Sequence, residues 1–205
     1  MARRGEALRD HILWNAKDVF LEMGFERASM DVVAARAETS KRSLYAHFES
    51  KDKLFLAVVE LSRGLYLSKL KTPADYGDDT AEAVVVFCGR FLQLLLRKPS
   101  LRTCRLGIAE AERLPEASAQ FYDALFGTTK ERLVAFLVER TRLAPPTAAD
   151  VAHELLGLTV FPRLFRTLLG VEEPLDEKSD VASLATDVDL APIRAAVVKL
   201  VPSEE

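Results

Sequence analysis

The sequence predicts an all-α fold, with an N-terminal helix-turn-helix head joined to a larger helical bundle. Apolar residues recur at steps of three and four from the start of the chain. Proline and glycine divide the rest into helix-sized segments. No segment combines apolar-polar alternation with the turn residues that bound strands. We therefore expect about nine helices, with the head over residues 1 to 50 and the body over residues 51 to 205.

The first helix has one apolar face and ends at a glycine. Gly24 can adopt the left-handed cap conformation, and Phe25 can then fold back onto the last turn. Ser29 is a plausible N-cap for a second helix, with Asp31 near its positive end. The apolar face of the first helix consists of Leu8, Ile12, Ala16, Val19, Phe20 and Met23.

The third helix has an apolar anchor and a polar, basic face. It follows a turn of about three residues, a separation typical of a helix-turn-helix. Leu44 and Phe48 supply the anchor. A helix that lies in a DNA groove needs a basic, polar surface of this kind. The alternative is an ordinary solvated surface, and Trp14 is interpreted as a packing residue rather than a base-stacking platform. The polar and basic residues of this stretch are Lys41, Arg42, Tyr45, His47 and Lys51, the last of which opens the fourth helix.

Residues 8 to 60 resemble the DNA-binding domain of the TetR/AcrR family of transcriptional regulators. The resemblance rests on Gly24-Phe25, Ser29-Met30, Ala34, Ala37, Ser40-Lys41, Leu44-Tyr45, His47-Phe48, Ser50-Lys51 and Leu54-Phe55. It implies phosphate contacts at Tyr45, His47 and Lys51. It implies base or backbone contacts at Ser29, Met30, Ser40, Lys41, Arg42 and Ser43. Glu38 departs from the pattern, because the family usually has glycine there; with a positive φ it would cost about 1 kcal/mol.

The charge distribution agrees with a DNA-binding head. The chain of 205 residues has a net charge of −3. Residues 1 to 71 contain 13 Lys and Arg against 10 Asp and Glu, whereas the remainder contains 15 against 21. The excess of positive charge therefore lies in the N-terminal third of the chain, which contains the head.

The two cysteines, Cys88 and Cys104, are too few for a disulfide framework or a zinc site, and buried apolar roles are expected. We expect no metal and no cofactor. No signal peptide and no membrane-spanning run is recognisable, which predicts a cytoplasmic protein without membrane contact.

Breaks in the body separate the remaining helices. Pro162 lies inside an apolar run, where it removes the hydrogen bond to the carbonyl of Leu158 and predicts a kink. The predicted fourth helix runs from a Ser50 cap to about Lys71 and the fifth from about Thr80 to Arg97. The later boundaries are Pro99-Ser100, Leu114-Pro115, Pro145-Pro146-Thr147 and Pro192.

Residues 105 to 116, followed by Phe121-Tyr122, resemble the C-terminal domain of AefR-like members of the same family. This resemblance implies an effector pocket between the fifth and eighth helices and a dimer formed by the last two. Plain core packing is the alternative for such apolar helices. Charged residues of the sixth helix, including Arg113, can face a cavity or link body to head. The candidate pocket residues are Phe87, Phe91, Cys104, Arg105, Phe121, Phe161 and Phe165.

The last part of the body contains an acidic, helix-poor segment and a final apolar helix. Residues 172 to 189 form a connection that we expect to be mobile. Residues 191 to 201 are apolar on most faces, which predicts a homodimer seam shared with the eighth helix.

These observations favour a homodimeric repressor that binds a palindromic double-stranded DNA operator and is released by a small lipophilic or aromatic effector. A ligand-independent DNA-binding dimer and an activator remain alternatives. An enzyme is disfavoured, because the chain has no Walker loop, no zinc-spaced histidine pair and no Gly-x-Ser-x-Gly motif.

Overall fold

The computed structural model describes residues 2–175 and 187–202, which fold as helices and short connections. No strand occurs in these ranges, and a single bridge joins Arg97 to Leu175. The all-α prediction is confirmed. The helices are α1 (Ala2–Arg27), α2 (Met30–Arg36), α3 (Lys41–His47), α4 (Lys51–Lys69), α5 (Thr80–Leu95), α6 (Lys98–Ala109), α7 (Pro115–Tyr122), α8 (Thr128–Arg140), α9 (Pro145–Val160), α10 (Arg163–Leu168) and α11 (Ala191–Leu200).

Two predicted helices are divided, which accounts for eleven described helices where about nine were expected. A π-helical turn, Asp123–Gly127, separates α7 from α8. Pro162 separates α9 from α10, because Phe161 before it has an extended backbone, as the residue before a proline prefers. The expected kink is therefore a complete break. A 3₁₀ turn, Pro73–Tyr76, lies between α4 and α5, with Thr72 and Asp75 forming a capping box.

Side-chain caps define where several helices begin. The Ser29 hydroxyl accepts a hydrogen bond from the Val32 amide at 3.2 Å, and the Asp79 carboxylate accepts one from the Glu82 amide at 2.7 Å. Each cap satisfies a first-turn amide that has no partner within the helix. At the other end of α1, Gly24 is non-helical with φ 76°, so the regular helix ends there as predicted.

Contacts divide the chain into two compact units. The first consists of Met1–Leu65 with Arg102–Tyr122, and the second of Tyr66–Leu101 with Asp123–Glu205. The expected division after residue 50 stays a prediction; the unit that contains the helix-turn-helix continues to Leu65 and includes a later segment. The core of the first unit is held by aromatic contacts: Phe25 is stacked on Phe20 at 5.8 Å between ring centroids and meets Phe55 edge-on at 5.0 Å.

In the second unit, α5 is the central helix. Almost every side chain along it is buried, and it packs against α8, α9 and α11. Ile193 and Val197 attach α11 to this core. None of the described helices is long and apolar enough to span a membrane. The mobility predicted for the acidic connection, residues 172 to 189, stays a prediction, because residues 176 to 186 lie outside the described residues.

Candidate nucleic-acid interface

Helix α3 is held to the first unit by two apolar side chains, which leaves its other face in solvent. Leu44 and Phe48 are buried. The Ser40 hydroxyl accepts the Ser43 amide at 3.1 Å and caps the helix. Lys41, Arg42 and Tyr45 are exposed. A short capped helix with a buried anchor and an exposed basic face is the geometry of a major-groove reading helix.

Arg42 and Tyr45 belong to the exposed face of α3. In the described part of the chain, Arg42 has no hydrogen bond or ion pair with another side chain, so binding would break no existing contact. Tyr45, one turn later, is 49% exposed. Arginine can bond a guanine edge with two donors, whereas a tyrosine hydroxyl can donate to a phosphate oxygen.

Lys41 is paired within the protein. Its Nζ lies 2.7 Å from a carboxylate oxygen of Asp31, in the first turn of α2. Both side chains are largely exposed, so the ion pair is weak. A DNA phosphate or base can replace Asp31 as the partner of Lys41 at little cost.

Lys51 stabilises the connection between α1 and α2 through hydrogen bonds to backbone carbonyls. Its Nζ donates to the carbonyl oxygens of Ala28 at 2.7 Å and Glu26 at 3.2 Å, and lies 4.3 Å from the centroid of the Phe25 ring. Burial, followed by the nearby charge of Arg113, lowers the pKa of Lys51 from its usual value. An ammonium group has three N–H donors, so one remains for a phosphate.

The remaining predicted DNA contacts differ in exposure. Met30 is only 7% exposed and its side chain belongs to the core of the first unit, so the predicted DNA contact at this position stays a prediction. Ser29 is committed to capping α2. The Ser43 hydroxyl lies 2.9 Å from that of Ser40. His47 is half-buried beside Phe48.

Glu38 occupies the turn in a left-handed conformation, with φ 49°. The Thr39 amide donates to the Ala34 carbonyl at 2.9 Å, and the Glu38 amide donates to the Ala35 carbonyl at 3.2 Å. This pair of bonds is a Schellman motif, in which the left-handed position usually holds glycine. The sequence analysis made a cost at Glu38 conditional on a positive φ, and the backbone at Glu38 does have a positive φ.

Sequence reasoning did not identify two cation-ring contacts of the first unit. The guanidinium carbon of Arg9 lies 5.2 Å from the Phe48 centroid, and that of Arg113 lies 4.7 Å from the Phe25 centroid. Arg113 belongs to the turn after α6, so a charged residue of that region does reach the head, as one reading proposed. No spacing signal in the sequence could have paired residues 88 positions apart.

The candidate pocket phenylalanines differ in burial and belong to different compact units. Phe87 and Phe91 are fully buried on α5, and Phe121 is in the core of the first unit. Phe161 and Phe165 are 67% and 53% exposed. A pocket lined by all five phenylalanines stays a prediction.

The two sixth-helix pocket candidates give no further support for that pocket. Arg105 is exposed and Cys104 is half-buried. Burial raises the pKa of the Cys104 thiol to about 11. In the described ranges, no group of histidine, cysteine, aspartate and glutamate could hold a metal ion.

Two family models match the chain. One describes bacterial regulatory proteins of the tetR family and matches residues 12–58, which include α2 and α3. The other describes the C-terminal domain of AefR-like transcriptional repressors and matches residues 82–191, more than half of the chain.

The chain belongs to the tetR family of bacterial regulatory proteins. It is 44% identical over 63 residues to the HTH-type transcriptional activator FasR of Mycolicibacterium smegmatis, covering 28% of this chain and 29% of FasR. It is 30% identical over 140 residues to the nucleoid occlusion factor SlmA of Shewanella amazonensis, covering 65% and 67% of the two chains.

A solved tetR-type structure extends the fold similarity to almost the whole chain. The flavonoid-responsive regulator FrrA is 25% identical, with a TM-score of 0.72 over 95% of this chain and 94% of FrrA. By contrast, the match spans only about a third or less of the length of FasR and of the QacR regulator of Staphylococcus aureus.

Proposed function

We propose that this tetR-family protein is a homodimeric transcriptional repressor that binds a palindromic operator through α3 and is released by a small lipophilic or aromatic effector. The observation that carries the proposal is the exposed face of α3. Arg42 and Tyr45 are exposed to solvent on this helix, whereas Leu44 and Phe48 are buried and attach it to the first unit. Its target is chromosomal DNA, so the proposed location is the bacterial cytoplasm.

The proposed DNA contacts divide into reading and positioning. Arg42 bonds a base edge in the major groove. Lys41 also contacts a base once its ion pair with Asp31 is broken. Tyr45, His47 and the third N–H of Lys51 contact phosphates, which fix the register of α3 in the groove without selecting sequence. Ser40 and Ser43 lie at the start of α3, and their hydroxyls are further proposed contacts with the DNA.

An exposed apolar stripe supports a dimer through α9 and α10. Its members lie on both sides of the break at Pro162 and are more than half exposed, which is unusual for large apolar side chains unless a partner covers them. A two-fold dimer would present two α3 helices to the two halves of a palindrome. Phe161 and Phe165 therefore fit the dimer surface better than an effector pocket. The stripe consists of Leu158, Phe161, Phe165, Leu169 and Val171.

The final helix has a smaller part in this surface than the sequence suggested. Ile193 and Val197 face α5 and α9 of their own chain, and only Val198 among the large apolar residues of α11 is strongly exposed. We therefore assign the dimer surface mainly to α9 and α10.

The effector part of the proposal is supported by the family and by FrrA, which is named as flavonoid-responsive. Weakening operator binding 100-fold requires that the effector prefer the released conformation by about 2.7 kcal/mol. A small aromatic molecule can supply that difference by burying one ring.

Two relatives favour alternatives. FasR is an activator, so α3 can serve activation as well as repression. SlmA is a nucleoid occlusion factor, which is compatible with a DNA-binding dimer whose body only dimerises. A reporter placed behind the operator distinguishes activation from repression by the sign of the change when the gene is deleted.

The test begins with selection of the operator from random duplexes. Arg42→Ala is expected to weaken operator binding by about 1–3 kcal/mol and to weaken random duplex much less. Arg63→Ala is the matched control, because Arg63 is an exposed arginine of α4 that pairs with Glu60 at 3.2 Å. Equal losses on both DNAs for Arg42→Ala, or an equal loss for Arg63→Ala, would reject the assigned reading face.

A further inference from the structure

Arg90 is a buried arginine without a carboxylate partner in residues 2–175 and 187–202. It lies on α5 and is 2% exposed. Its Nη1 donates to the Oε1 of Gln93, and the Tyr76 hydroxyl also contacts the guanidinium. Its Nη2 is buried and has no hydrogen-bond partner. Buried charges are normally paired, since removal from water is costly.

The neighbouring polar groups do not neutralise this charge. Gln93 is fully buried and neutral, and its Nε2 donates to a carboxylate oxygen of Asp187 at 2.9 Å. The side chain of Gln93 therefore connects Asp187 to Arg90, and Asp187 makes no direct ion pair with Arg90. Arg97 adds a second positive charge; burial first, and then Arg97, lower the pKa of Arg90. Arg90 itself, with a buried Nη2 that has no partner, is therefore the group in this cluster that can attract an anion.

Aromatic side chains surround the cluster. Phe87 lies three residues before Arg90 on α5, so the two side chains are neighbours on the helix surface, and Phe91 lies four residues after Phe87 on the same face as Phe87. The ring of Tyr76 lies 6.4 Å from Phe87, and that of Phe126 meets Phe91 edge-on at 5.8 Å. Phe126 belongs to the π-helical turn Asp123–Gly127, and such turns occur frequently at functional sites.

We propose that Arg90 binds the anionic group of the effector, so that the ligand class is an organic acid with one carboxylate and a lipophilic or aromatic body. The inference rests on the proposed effector-responsive function and names the chemistry of its ligand. The free Nη2 and a shifted Nη1 form a two-donor fork that matches a carboxylate. The aromatic residues beside it receive the apolar body.

Matched acid and amide probes test this proposal directly. The full chain is titrated by calorimetry and thermal shift at pH 7.5 with cinnamate against cinnamamide and decanoate against decanamide. Each pair shares its carbon skeleton and differs in charge. We expect at least one acid to bind ten times more tightly than its amide, a difference of about 1.4 kcal/mol.

Arg90→Met separates ligand binding from a structural role. Because it replaces an uncompensated charge with an apolar chain of similar length, we expect the ligand-free melting temperature to be kept or raised, and the preference for the acid to disappear while amide affinity is kept. Arg142→Met, at an exposed arginine of the same unit, should keep the preference. If Arg90→Met does not fold, Arg90→Lys retains the charge but loses the fork, and should reduce the preference.

Three results would overturn the inference. They are failure of both acids to bind at millimolar concentration, equal affinities within both pairs, and retention of the preference in Arg90→Met. Operator binding without any probe is measured in parallel. If operator binding is intact and acid preference is absent, only the inference about Arg90 fails; if the chain binds no operator, the proposed function itself fails.

Discussion

Glu38→Gly is expected to stabilise the helix-turn-helix unit, because Glu38 holds a left-handed backbone that glycine adopts without strain. The Schellman bonds from the amides of Glu38 and Thr39 fix this conformation, with φ 49°. It is the one non-glycine residue with positive φ in the described ranges. The native backbone therefore need not move when the side chain is removed.

The magnitude follows from two opposing effects. A non-glycine residue in the left-handed region costs about 1–2 kcal/mol. Glycine relieves that strain, but it gains about 0.5–1 kcal/mol of extra freedom in the unfolded chain. The net stabilisation is about 0.5–1 kcal/mol, which corresponds to roughly 1–4 °C in melting temperature for a chain of this size.

Urea and thermal unfolding, followed by far-ultraviolet circular dichroism, measure the change. Glu38→Asn should give a smaller gain, because asparagine tolerates the left-handed region. Glu38→Gln keeps the strain and removes the charge, so it should leave stability unchanged while increasing DNA affinity at low salt. A lower melting temperature for Glu38→Gly, or an equal gain for Glu38→Gln, would show that strain at this turn is not the cause.

Three further predictions follow from contacts described above. Lys51→Met should cost about 1–3 kcal/mol of stability, because two carbonyls lose a charged donor. It should also reduce the slope of DNA affinity against salt concentration by the equivalent of about one phosphate contact per head. An unchanged melting temperature and an unchanged salt slope would remove Lys51 from both roles. Deletion from Ala191 onward should unfold the second unit rather than release a folded monomer, because Ile193 and Val197 are core residues; sedimentation and circular dichroism of a folded truncated chain would contradict this. Burial raises the pKa of Cys104 to about 11, so at pH 8 this thiol should react with iodoacetamide at least about 100-fold more slowly than a free thiol. Unfolding in urea should restore the reaction rate. A rate in the folded protein near that of free cysteine would contradict the burial of Cys104.

The local part of the fold was predictable because its signals are short-range. The cap at Ser29 and the end of the regular α1 at Gly24 are decided by the residue and its immediate neighbours. Each of these two features needs only a few consecutive residues to be read. The strain at Glu38 was recognisable in a different way, because the family that the head resembles usually has glycine at that position.

The side-chain partners were not predictable, because they join distant parts of the chain. The sequence predicted a phosphate contact for Lys51 but gave no sign of its hydrogen bonds to the carbonyl oxygens of Glu26 and Ala28. Apolar character alone could not distinguish the buried Phe87 from the exposed Phe161. A helical pattern shows that one face is covered, but not whether its own chain or a second copy covers it.

The membership of Arg102–Tyr122 in the first unit limits how such regulators can be recombined. Leu106, Ala117 and Phe121 complete the core around Phe55, and Arg113 covers the ring of Phe25. A fragment that stops after α4 would lose these contacts and expose the apolar side chains beneath them. Grafting the first 65 residues onto a foreign sensor would therefore give an unstable hybrid, and a chimera that keeps its own residues 102 to 122 is the better starting point for engineering.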